Sequence, residues 1–497
     1  MKYFIVIAQL LVCAALPSTA IAEESKKTTP VADPKVWVSD HTGRFNGETI
    51  KYTTTTGETH LKNADGKEIA SIFSTAYIKK DVKDPTSRPI AFFYNGGPGS
   101  ASLWLHMGAW GPKRVAIPSD AKDDSSPPYP LVDNEAGLLD VTDMVFIDPV
   151  GTGFSRAIGE GKKEDFYGVT EDAKSIAQFI RLWLSKNGRW NSPKYIGGES
   201  YGTTRSAAIV NELEGRFNDV ALNGVILVST ILDFSARDTA QGNEMGYILA
   251  LPTMAATARY HGKAGQGTSV EEFVEAAREF ARTDYALALL KGNALSTDER
   301  ARVRARLAHF TGLKQAYLDR ADLRVTPGRF YKELLRDEGK TVGRLDSRYT
   351  GTDYDSAGDS IDNDPSFYGI DASYTAAINS YLREDLGVDF ERQYSVIGGL
   401  GGSWNWKLSD RGRNSYLNVA PYLGRALREN SGLRIFNAAG YYDFATPLYG
   451  AEYSLTRTGF DPSRIDFKYY EAGHMMYVRE DDLVKLNNDI RVFIKNR

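Results

Sequence analysis

Apolar and polar positions along the chain fall into three regimes. From Phe45 to Lys79 they alternate between turn pairs such as Thr56-Gly57 and Asp65-Gly66, which predicts β-hairpins. Beyond that, short apolar runs end in glycine-rich turns and lead into helical stretches. "PIAFFYNGGPG" (89–99), "MVFIDPVGTGF" (144–154), "KYIGGESYG" (194–202) and "GVILVST" (224–230) are of this type, as are "LRIFNAAGYYDF" (433–444) and "IDFKYYEAGHMM" (465–476). Short apolar strands alternating with helices predict an α/β fold, a mostly parallel central sheet flanked by helices on both faces. Between about 233 and 405 the rhythm changes. "SVEEFVEAAREFARTDYALALL" (269–290) and "DERARVRARLAHF" (298–310) place apolar residues near helical spacing, and no strand-turn unit interrupts them. We read 233–405 as a mainly helical cap insertion that divides a core made of 23–232 and 406–497. Caps of this kind wall a pocket and set substrate size.

The chain ends and composition narrow the setting. Lys2, an apolar run from Phe4 to Leu16 and the small-residue sequence Ala20-Ile21-Ala22 predict a cleaved signal peptide over 1–22. The run is too short to span a bilayer. An exported protein, periplasmic or secreted, is the expectation, and a bacterial source fits it. Lipidation at Cys13 is disfavoured because Val12, not a small residue, precedes it. Cys13 is the only cysteine, so the mature chain must rely on its packed core without disulfides. Residues 23 to about 40 are polar and contain proline, and read as a loose leader. The net charge of −4 argues against nucleic acid as a partner, and no second membrane-spanning segment is seen once the signal is removed. Six histidines without H-x-x-x-H spacing give no zinc site, so no metal or cofactor is expected. The acidic run "TDYDSAGDSIDNDPS" (352–366) sets Asp353, Asp355 and Gly358 in a calcium-loop order. Ala357 and Asp364 break that order, and a solvated acidic loop is expected instead.

The chemistry centres on Gly198-Glu199-Ser200-Tyr201-Gly202, a G-x-S-x-G sequence between a predicted strand and a predicted helix. In that setting Ser200 stands above the sheet as a nucleophile; elsewhere the same five residues would be a plain glycine turn. A serine nucleophile requires a base. His261, His309 and His474 follow it, and only His474 ends a predicted strand. Asp443, after the strand at Leu433–Asn437, is the candidate to orient that imidazole. Backbone N–H groups of Tyr201 and Gly97 are the candidates for an oxyanion hole. Glu199 is out of place by this logic, since a carboxylate beside the nucleophile opposes the charge that forms there.

Four segments together resemble the serine carboxypeptidase family, exopeptidases of the α/β-hydrolase fold. They are "YNGGPGS" (94–100), "DPVGTGFS" (148–155), "GGESYG" (197–202) and the pair "YYDFATP" and "AGHMM" that carries Asp443 and His474. The resemblance implies a serine-type carboxypeptidase acting on peptides with a free C-terminus, at acidic pH. It implies that Asn95, Gly96 and Glu199 bind the terminal carboxylate, with Glu199 protonated so that it donates to that group. The chain departs from the pattern at Ala109, where better-known relatives keep a second glutamate; without that partner Glu199 is expected to ionise earlier unless burial offsets the loss. Phe93 and Ser100 replace a tryptophan and a cysteine of the pattern. An esterase or acyltransferase using the same triad is the alternative, and a silent peptide-binding protein is a third reading. Nothing in the sequence sets the oligomeric state.

Overall fold

In the computed structural model, residues 31–496 are described except 125, 215–218 and 409–415; the proposed signal peptide lies outside the described residues. Nine strands make the central path of one sheet. They are β1 (Val36–Phe45), β2 (Glu48–Lys62), β3 (Glu68–Lys79), β4 (Ile90–Tyr94), β5 (Asp143–Ile147), β6 (Lys194–Ser200), β7 (Gly224–Thr230), β8 (Arg434–Gly440) and β9 (Ile465–Tyr470). Their spatial order is β1-β2-β3-β5-β4-β6-β7-β8-β9, and Arg156–Ala157 pairs with β3. The first strands pair antiparallel, and every pairing from β5 through β9 is parallel.

Each parallel strand is a short apolar run because both its faces are covered. Along β4, Ala91 and Phe93 join the apolar cluster on one face, while Ile90, Phe92 and Tyr94 join that on the other. Helices α1 (Val169–Lys186), α2 (Tyr201–Leu213) and α3 (Ala420–Glu429) cover this second face. After α4 (Leu448–Leu455), the C-terminal helix α5 (Glu480–Lys495) covers the first with Leu483, Leu486, Ile490 and Phe493. The expected parallel sheet with flanking helices is therefore the observed one. No helix among the described residues is long and apolar enough to cross a membrane.

Two local expectations change. The loose leader is shorter than read, because β1 already starts at Val36. Its half-exposed, alternating residues pair along β2, so a polar edge strand had looked like loop. Gly57 lies in the middle of β2, opposite Val36, and the first hairpin turns instead at Asn46-Gly47.

Within 233–405, helices Met245–Tyr260, Val270–Phe280 and Thr297–Thr311 pack around their own apolar cluster. The stretch from Pro365 onward returns to the sheet: Tyr374, Ile378, Tyr381 and Tyr394 join the core of the first face, and Ser100 bridges Ile397. The acidic run is exposed over 354–360, as expected of a solvated loop, but the Asp353 side chain turns inward. The Lys332 ammonium is buried against Asp353 and donates to Asp355 O at 2.6 Å. Lys332→Met strands a buried carboxylate and should cost about 3–5 kcal/mol. A thermal melt should show the loss, and adding Asp353→Leu should recover most of it.

Candidate active site

The sheet delivers its parallel strands to one edge, and the candidate residues leave from there. β6 ends at Ser200, whose φ of 61° and ψ of −129° lie in a region that residues with a Cβ rarely occupy. Helix α2 begins at the next residue, so the serine sits at a sharp strand-to-helix turn. The loop after β4 lies directly on this turn. A Cβ at Gly96 would stand 2.6 Å from Tyr201 N and 2.7 Å from Glu199 O, so only glycine permits the contact. The oxyanion candidates Gly97 and Tyr201 therefore belong to two loops in backbone contact.

The second sheet face holds that loop from behind. Arg205 on α2 donates to Asn95 O and, at 2.6 Å, to Asp172 Oδ2 on α1. Its guanidinium lies over the rings of Tyr94 and Tyr201, and both charged partners are fully buried. Asp148, in the second motif segment, accepts from Ser102 N at 2.8 Å and from the Tyr394 hydroxyl at 3.1 Å. Burial pushes its carboxyl up to about 6.

Asp443 follows β8 and His474 follows β9. The His474 Nδ1–H donates to Asp443 Oδ2 at 2.8 Å, the tautomer required because a carboxylate only accepts. Asp443 Oδ1 takes the N–H groups of Ala445 and Thr446 at 2.8 and 3.0 Å, and Thr446 Oγ1 donates to Oδ2 at 2.6 Å. Burial opposes charge on the imidazole, but Asp443 by charge and hydrogen bond outweighs it, and His474 is raised above its ordinary range. The Ser229 hydroxyl at the end of β7 donates to His474 O, while neighbouring Thr230 is in register with Ser200. His474 and Ser200 are thus tied to adjacent strand ends, although no Ser200–His474 hydrogen bond is formed. Such bonds commonly tighten only with substrate bound. His261 and His309 stay in the insertion, where His261 bonds Ser347 O.

Glu199 is buried, and both its oxygens are engaged. Asn95 Nδ2 donates to Oε1 at 2.9 Å and the Tyr477 hydroxyl donates to Oε2 at 2.7 Å. Asn95 Oδ1 in turn accepts from Leu105 N at 3.0 Å. Burial is the largest influence on Glu199 and pushes it up to about 7, against the His474 charge and the two donors. The expected early ionisation is reversed, since desolvation does what the missing second carboxyl does not. Among the described residues no group of three or more His, Cys, Asp or Glu side chains is placed to hold a metal.

Residues 63–260, which carry the glycine loop after β4 and the serine turn, match the serine carboxypeptidase family. Serine carboxypeptidase-like 13 of Arabidopsis thaliana is 30% identical over 167 residues, which is 33% of this chain and 37% of that relative. Serine carboxypeptidase-like 5 of the same plant is 31% identical over 166 residues, 32% of this chain and 36% of the relative. The match thus spans little more than a third of these relatives' length. The fold extends further: Kex1(Δ)p, a prohormone-processing carboxypeptidase from Saccharomyces cerevisiae, superposes over 90% of this chain and 92% of its own with a TM-score of 0.53 at 16% identity. That likeness establishes the α/β-hydrolase fold.

Asp443 and His474 lie outside the serine carboxypeptidase segment, and the insertion brings their loops together. Residues 344–347 form a strap between them. Phe444 N donates to Arg344 O at 3.1 Å, His474 N to Leu345 O at 2.6 Å and Ser347 N to Tyr442 O at 3.0 Å. Asp346 Oδ2 accepts from Gly473 N at 3.1 Å and is itself held by Arg348 at 2.6 Å. Sequence reasoning missed this strap, along with Arg205 and Tyr477. For Tyr477 there was a signal, its place three residues after His474 on the same turn. It fits because Gly108 leaves room, where a Cβ would meet its ring at 2.5 Å. The Tyr477 hydrogen bond favours the ionised carboxyl, so Tyr477→Phe should raise the Glu199 titration above about 7. Carbon-13 NMR of the glutamate carboxyls reads this; an unchanged or lower midpoint would show that the hydroxyl does not set it.

Proposed function

We propose that this protein is a serine-type carboxypeptidase that releases the last residue of a peptide through an acyl-enzyme. The observation that carries the reading is the buried Glu199, held by Asn95 and Tyr477 one residue before the strained serine. A neutral carboxylic acid there donates to a substrate carboxylate, whereas an ionised one repels it. Ser200 Oγ attacks the last peptide carbonyl while His474 Nε2 takes its proton, and Asp443 keeps the imidazole in the tautomer that leaves Nε2 free. N–H groups of Tyr201 and Gly97 receive the oxyanion. His474 then protonates the departing amine, and water, activated by the same imidazole, releases the acyl group. The N-terminal apolar pattern further supports export to a periplasm or to the outside of the cell, with the mature chain acting on peptides there.

Two protonation demands set the working pH. Carboxylate binding needs protonated Glu199, is fully present well below about 7 and fades as pH rises through it. Base action needs neutral His474 and grows as pH rises through its elevated value. The rate should therefore be bell-shaped, with its maximum between weakly acidic and neutral pH.

Hydrolysis of an N-blocked dipeptide should exceed that of its C-terminal amide, and the ratio should shrink above pH 7. Ser200→Ala should lower kcat by about four to six orders of magnitude. Equal rates for acid and amide, or turnover of simple esters alone, would transfer the assignment to an esterase or acyltransferase built on the same residues.

A further inference from the structure

Beside the triad stand two cations that the proposed reaction does not use. Arg237 ends the short turn Phe234–Ala236 that follows β7, and Arg344 opens the strap. Among the described residues neither guanidinium has a hydrogen-bond or ion-pair partner. Their surroundings converge on the acid loop. Tyr331 packs its ring on Phe444, with centroids 5.2 Å apart, and Phe444, next to Asp443, is the residue whose N–H is held by Arg344 O. Tyr331 lies in the field of both arginines and of Asp443, and the charge of Arg344 is also felt at His474.

The nearby carboxylates are committed elsewhere. Asp443 carries its four hydrogen bonds. Asp364 accepts from the N–H groups of Arg344, Leu345 and Ser366 and from the Ser366 hydroxyl. Asp238 accepts from the Tyr416 hydroxyl and Ala240 N. Arg237 is reachable by water, yet crowding by protein and the like charge of Arg344 both disfavour its cation. The carboxylates nearby bond to other donors and not to these guanidinium groups, so both arginines keep their N–H donors available to an anionic ligand.

Sheet order says which anion. Asn95 and Gly96 leave β4, and Arg237 leaves β7; these strands flank β6 on opposite sides. The terminal carboxylate is assigned to the β4 side, so the arginines face the acyl side of the scissile bond. We propose that Arg237 and Arg344 form an anion-binding wall for the penultimate side chain of the substrate, so that the enzyme selects peptides with Asp or Glu before the released residue. The inference rests on the carboxypeptidase reading. Guanidinium groups suit the task because they bind carboxylates through paired N–H donors.

The test compares N-blocked Glu-Phe, Gln-Phe and Lys-Phe at pH 6, where the glutamate side chain is ionised. The expected kcat/KM for Glu-Phe exceeds that for Gln-Phe at least about tenfold, with Lys-Phe poorest. Arg237→Gln and Arg344→Gln should each reduce the Glu-over-Gln ratio, and the double variant should bring it near one. Arg237→Lys should keep part of it. A wild-type ratio of one or less, or a ratio unchanged in the double variant, overturns the proposal and leaves the carboxypeptidase reading standing. Cleavage of none of the three overturns that reading and the proposal with it.

Discussion

The site depends on a backbone-to-backbone contact with no side chain between, Gly96 against the turn at Tyr201. Where two loops approach this closely their relative position cannot drift, because any movement is a movement of main chain against main chain. The parallel sheet supplies the rest of the constraint. β4, β6, β7, β8 and β9 all end at the same edge, so the residues that leave them converge without any long loop having to find its place. The strained φ at Ser200 persists because the strand before it, the helix after it and the glycine loop beside it leave no other conformation.

The electrostatics of the site couple two groups that the proposed reaction needs in opposite protonation states, both of them neutral. Glu199 and His474 influence each other directly: the imidazolium favours the carboxylate, and the carboxylate favours the imidazolium. A neutral acid with a neutral imidazole has the same net charge as the ion pair, so pH does not by itself choose between them. In the proposed reaction a substrate carboxylate arriving at Glu199 would choose, because it penalises the ionised acid and returns the proton to it. Binding of a free C-terminus would thereby release His474 to act as a base and tie selectivity to the catalytic step.

The parallel strands were legible in the sequence because burial on two faces turns each of them into a continuous apolar run. The nucleophile turn was legible because its glycines have few other uses, and Asp443 and His474 because each follows such a run. What escaped carries no periodic signal. The strap at 344–347 is irregular backbone whose function lies in its carbonyls, and carbonyls have no sequence. Arg205 reads as an ordinary polar helix residue and is buried. Tyr477 reads as core and is core, with a hydroxyl that matters. The edge strand β1 failed for the opposite reason, since its exposed face looks like loop.

The strap also bears on how such a protein could diversify. A lid hinged on a finished catalytic centre can be replaced or removed as a unit. Here the insertion accepts from Phe444 N and His474 N through its carbonyls and from Gly473 N through Asp346, and donates Ser347 N to Tyr442 O, so excising it would leave these groups unsatisfied and the two loops untied. The helical lobe around Met245–Tyr260 has an apolar cluster that also takes in Phe444, beside Asp443. Under the proposed function, changes of substrate range would come from the parts of that lobe away from Phe444, while the strap ties the Asp443 and His474 loops.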